Sequence, residues 1–187
     1  MILSLIIIAV LLLGFYAGYR RGFIRELVYL AGYGLTFFVA IHYYKSLADY
    51  LELWIPYPTP ALDTTLNFYS QKLLLTLNQS FYAAIAFVLI LLVGWLLVRF
   101  IGALCHKLTY VGGHIGFFRI ANGLIGGTIH TVIVYIFMTL MLVLASLLPI
   151  ASVQDTLYES TIASAMIQDS PIISDTLNTL WIEDIQK

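Results

Sequence analysis

The 187 residues are 61% hydrophobic and 10% charged, with nine Lys/Arg against ten Asp/Glu and a formal net charge of -1. A soluble domain carries about 25% charged residues, so a chain of mean hydropathy +0.94 cannot build a polar shell and must bury its apolar surface in a lipid bilayer. The balanced charge offers no basic footprint for nucleic acid, and a single cysteine, Cys105, excludes an intrachain disulfide framework and a CxxC pair.

Crossing the hydrocarbon core takes about 20 apolar residues in a helix, and four stretches meet that need. The first spans about residues 2–19 and the second about 27–44, joined by the basic turn Arg20-Arg21-Gly22-Phe23-Ile24-Arg25-Glu26. Basic residues follow the first apolar run, whereas a signal peptide carries them before it, so the run reads as a retained span. An outer linker, 45–80, separates this hairpin from the next. Within it Leu47, Tyr50, Leu51 and Trp54 recur at helical spacing, as do Leu62, Leu66, Leu73 and Leu77, which predicts two amphipathic interfacial helices. Between them Pro56, Pro58 and Pro60 exclude a continuous helix.

The third span covers about 81–104 and the fourth about 120–150, joined by a turn containing His106, Lys107, Gly112, Gly113, His114 and Gly116. The fold class is therefore all-α, with a four-helix transmembrane domain over 1–150 built as two hairpins. A short extracytoplasmic tail, 151–187, follows; Ser170-Pro171 marks a helix start and Ile173, Leu177, Leu180 and Trp181 form one apolar face.

Basic residues near span ends mark the cytoplasmic side. Arg20, Arg21 and Arg25 lie in the first turn, and Arg99, Lys107 and Arg119 flank the second. The linker holds only Lys45 and Lys72, and the tail has Lys187 against six acidic residues. Both termini are expected outside. In that frame the six turn residues read as topology anchors facing lipid headgroups, with Arg99 snorkelling to the interface; the alternative is that Arg25 and Glu26 pair with groups at the other turn, such as Lys107 or Arg119.

Gly14, Gly18 and Gly22 form a tandem GxxxG series, and Gly123 and Gly127 repeat the spacing on the fourth span. Small residues at this interval let backbones approach closely, so the five glycines are expected to be packing positions whose faces meet. His130 lies eleven residues beyond Arg119, about 16 Å along a helix, which puts it near mid-membrane. An ionisable residue there is a functional candidate. The competing reading is a polar contact to Asn122, Thr128 or Thr131 on the same helix, and no second ionisable group is expected at its depth. There is no GxSxG, HExxH, P-loop or pair of intramembrane aspartates, and the four histidines have no metal spacing. Neither catalysis nor a cofactor or metal is expected.

The segment Gly18-Tyr19-Arg20-Arg21-Gly22-Phe23-Ile24-Arg25-Glu26-Leu27, followed by Phe37-Phe38-Val39-Ala40-Ile41-His42-Tyr43-Tyr44, resembles the colicin V production protein (CvpA) family. Leu92-Val93-Gly94, Phe100-Ile101-Gly102, Arg119 and the glycine-rich start of the fourth span add to the likeness, which covers roughly 14–134. It implies a bacterial cytoplasmic (inner) membrane protein, accessory to production of a secreted toxin and to envelope maintenance. Such a protein would act by assembly in the bilayer, as a homo-oligomer or with other envelope proteins. Two departures stand out. The acidic residue that many members carry early in the first span is missing, and His130 stands near a basic position of the fourth. Two further readings of the sequence are a small transporter or channel subunit with His130 in its pathway, and a scaffold for an extracytoplasmic partner.

Overall fold

A computed structural model describes residues 2–58, 67–69, 77–104, 116–170 and 173–183. Among them the chain is helical and contains no strand. Helix α1 is Ile2–Arg21, α2 Phe23–Leu51, α3 Leu77–Leu104 and α4 Gly116–Ser146. Three short helices follow, α5 (Ala151–Glu159), α6 (Thr161–Gln168) and α7 (Ile173–Asn178), and a π-helical turn over Thr179–Glu183. The four long helices are each long and apolar enough to cross a membrane, the fourth counted from Arg119.

Several boundaries differ from those read in the sequence. The first turn is a single residue, Gly22, because its left-handed φ of 81° reverses the chain within one position. Leu47, Tyr50 and Leu51 belong to no separate interfacial helix, since nothing breaks the chain between Tyr44 and Leu51 and α2 runs straight through. Tyr50 and Trp54 stand exposed. At the far end α4 stops at Ser146, four residues short of the expected limit, where Pro149 excludes helical geometry for its predecessor. The expected second linker helix lies mostly outside the described residues, as do Pro60 and Pro171.

Tertiary contacts gather the chain into two compact units. One comprises Met1–Ile7, Ala40–Leu89 and Met138–Lys187; the other comprises Ile8–Val39 and Ile90–Phe137.

In the first unit the tail packs closely. Trp181 and Leu177 are buried, Trp181 meets Phe87 edge-on with ring centroids 5.7 Å apart, and Phe87 meets Tyr44 at 6.1 Å. The Tyr44 hydroxyl donates to the Leu180 carbonyl at 3.0 Å. Of the apolar face foreseen at the end of the chain, Trp181 thus has its partner on α3. Helices α5 and α6 had no expectation attached. Their junction is Ser160, whose Oγ accepts from Ala163 N–H as the N-cap of α6 and lies 2.9 Å from Ser4 Oγ on α1.

The end of α4 leaves carbonyls without helical partners, and the buried Gln154 of α5 takes up two that lie there. Its Nε2 donates to the carbonyls of Ser146 at 2.7 Å and Leu148 at 3.0 Å, while its Oε1 accepts from Asn67 N–H at 3.2 Å. Tyr57 donates to the neighbouring Leu147 carbonyl at 3.0 Å. Burial pushes its pKa up to about 12, so it stays a donor throughout the physiological range. Replacing Gln154 by Leu keeps the volume but strands these polar groups. The expected loss is about 2 kcal/mol, read as a lower unfolding midpoint in detergent against wild type; an unchanged midpoint would show that the cap contributes nothing.

Candidate functional site

Within the second unit, α1 and α4 meet along their glycines. A side chain at Gly18 would press its Cβ to 2.5 Å from the Gly126 carbonyl oxygen and from His130 Cβ. Gly14 faces Val134, Gly22 faces Asn122, Gly123 faces Tyr19 and Gly127 faces Phe15. Of the five positions singled out from spacing, Gly14 and Gly18 on α1 and Gly22 in the turn therefore face α4, and Gly123 and Gly127 on α4 face α1.

That approach brings the single-residue turn against the side of α4. Asn122 Oδ1 accepts from Phe23 N–H at 2.8 Å and so caps an orphan donor at the start of α2. The cap comes from a helix 99 positions away in sequence. Asn122 does not bond His130, and Thr128 and Thr131 return their hydroxyls to the carbonyls of Leu124 and Gly127 on their own helix.

The partner of His130 is instead Glu26, which has no exposed surface. His130 Nδ1 lies 2.9 Å from Glu26 Oε2. A carboxylate only accepts, so Nδ1 carries the hydrogen. The other carboxylate oxygen, Oε1, accepts from Arg21 Nη1 at 2.9 Å, and the same guanidinium nitrogen approaches His130 Nε2 at 3.4 Å. With a neutral imidazole, the cluster of Arg21, Glu26 and His130 is closed and carries no net charge. Glu26 also sits in the first turn of α2, where the helix dipole favours an anion.

The sequence expectation that no second ionisable group shares the level of His130 is thereby corrected. Its distance from Arg119 was sound as helix arithmetic. That count says nothing of how other helices lie beside α4, and the glycine contacts set the hairpin turn against residues 122–134. A signal for Glu26 was present, since no other Asp or Glu precedes Asp49.

The basic residues divide by environment. Arg20 is exposed with its guanidinium 5.9 Å from the Tyr16 ring centroid, and Arg119 is exposed on α4. Arg21 belongs to the closed cluster. Arg25 and Arg99 converge with it on the buried ring of Tyr29, at 5.9 and 5.2 Å against 6.0 Å for Arg21, so Arg99 packs on aromatic rings, Trp95 included. Lys107, like Cys105, His106 and His114, lies outside the described residues. Among the described residues no group of three His, Cys, Asp or Glu could hold a metal.

Four long apolar helices, three of which close a buried polar cluster, define a multi-pass integral membrane protein. The chain belongs to the colicin V production protein family, whose model matches residues 3–171. It is similar to the uncharacterized transmembrane protein YshB of Bacillus subtilis (strain 168), at 32% identity over 182 residues, 97% of this chain and 98% of that one. No solved structure matches it.

The packing account makes an opposed prediction for two glycines. Gly18→Ala drives a methyl group into the α4 backbone and should lower the unfolding midpoint in detergent. Gly34→Ala, on α2 with nothing within 4 Å of the added carbon, should raise stability by up to about 1 kcal/mol through helix propensity. Equal responses would contradict the close approach.

Proposed function

We propose that the chain is a protein of the bacterial cytoplasmic membrane, with both termini extracytoplasmic, that is accessory to production of a secreted toxin and to envelope maintenance. It acts by assembling in the bilayer, with copies of itself or other envelope proteins, and not by catalysis. One observation carries this reading: the strongest candidates for chemistry, Arg21, Glu26 and His130, satisfy one another inside a packed helix junction. Meanwhile large apolar residues of the long helices, such as Leu12, Leu13, Leu96 and Phe100, stand exposed and are free to meet lipid or a partner. Membership of the colicin V production protein family supports the biological setting.

A second reading has its own support. Ionisable residues inside membrane spans commonly mark ion or proton pathways, and Glu26 with His130 would be such a pair in a small transporter or channel subunit.

The two readings separate in a deletion strain complemented with wild type, Gly18→Leu or His130→Gln at matched membrane abundance, each carrying a C-terminal reporter active only outside the cytoplasm. Glutamine keeps a hydrogen-bond donor for Glu26 but cannot relay a proton. On the assembly reading His130→Gln restores secreted-toxin yield and envelope-stress survival, Gly18→Leu does not, and the reporter is active. Failure of His130→Gln, with ion flux in proteoliposomes that it abolishes, would replace assembly by conduction. A silent reporter would overturn the topology.

A further inference from the structure

Helices α2 and α3 also approach each other at glycines that the spacing argument passed over. A side chain at Gly32 would strike Val98, one at Gly94 would strike Thr36 and one at Gly102 would strike Tyr29. Beside these contacts runs a groove of about 350 Å³. Its rims are Val28 and Leu35 on α2 and Leu97 and Ile101 on α3, all exposed.

The groove extends along α2 from Arg25 to Thr36, which is about 16 Å at 1.5 Å per residue. That is close to half of the ~30 Å hydrocarbon core, the depth of one leaflet and so the reach of one acyl chain. Arg25 lines one end. Beside it Arg99 faces the same Tyr29 ring. Among the described residues no carboxylate pairs with either arginine, and the Nε of each is buried with no hydrogen-bond partner. Both carboxylate oxygens of Glu26 are taken up by Arg21 and His130. One partly buried cation, Arg25, therefore lines the end of an apolar channel, and a second, Arg99, does not line it but shares the Tyr29 ring with Arg25, an arrangement that calls for an anion.

We propose that this groove binds one anionic membrane phospholipid, with its phosphate at Arg25 and Arg99 and one acyl chain lying between α2 and α3. A helix from a second copy would cover the apolar rims but leave both guanidinium groups without a counter-charge. A lipid phosphate linked to an acyl chain satisfies both ends of the groove at once. The site differs from general headgroup attraction because it needs the groove as well as the charge. Arg20, packed on Tyr16 away from it, contributes to headgroup attraction only.

The test uses the full chain in detergent and counts lipid retained per protein by native mass spectrometry. Its probes are phosphatidylglycerol, phosphatidylcholine and inorganic phosphate. One phosphatidylglycerol should be held in clear preference to phosphatidylcholine, and inorganic phosphate should not displace it. An Arg25→Gln/Arg99→Gln double variant should weaken retention about twenty-five-fold, each arginine contributing about a factor of five. Arg20→Gln, the same loss of charge, should change it little. Leu97→Trp keeps both arginines but fills the groove, and should abolish the specific adduct even if the double arginine variant fails to fold. Equal retention of the two lipids, equal loss in Arg20→Gln, or full retention in Leu97→Trp would overturn the proposal. So would a dimer that excludes lipid and is broken by Leu97→Trp, since the groove would then be an interface between copies.

Discussion

A carboxylate with no exposed surface, in a chain this apolar, must find its polar partners inside the protein. Glu26 does so by taking Arg21 from the end of α1 and His130 from the middle of α4. Leaving either polar partner unpaired in low dielectric costs several kcal/mol, so the two helix ends and the side of α4 are tied to one geometry. The turn that makes this possible is a single left-handed glycine. With a longer turn, Arg21 and Glu26 would not both reach one imidazole. The Asn122 cap on Phe23 completes the joint by satisfying a backbone donor that the tight turn exposes.

Close backbone approach and charge closure depend on each other here. Gly18 lets α1 lie against Gly126 and His130 Cβ, which sets the register at which His130 meets Glu26. Apolar transfer gives little drive for helix association in lipid, and packing with a few hydrogen bonds must supply it. The same economy operates in the other unit. There Gln154 gathers the carbonyls at the end of α4, and Trp181, Phe87 and Tyr44 form a line of edge-on rings.

Helix identity was legible because hydropathy and length suffice for it, and the GxxxG spacing exposed the α1 and α4 faces because a 3.6-residue period puts such glycines on one stripe. Register between helices was not legible. His130 was placed from Arg119 along a single helix, and nothing in that count reveals that a turn near residue 22 lies against residue 122. Gly32, Gly94 and Gly102 escaped for a related reason, since they do not repeat at four-residue intervals and act singly against Val98, Thr36 and Tyr29. Helices α5 and α6 were missed because they are short, and they draw their order from Ser160 and Gln154 bonding to distant parts of the chain.

The most direct test of this account is a double-mutant cycle between Glu26 and His130, using Glu26→Gln, His130→Leu and the pair, with unfolding free energies measured in the bilayer. A closed charge cluster predicts a coupling energy of at least about 1 kcal/mol, within the range for residues in direct contact. Two losses that simply add, to within about 0.3 kcal/mol, would mean that the carboxylate and the imidazole do not hold the hairpin to α4.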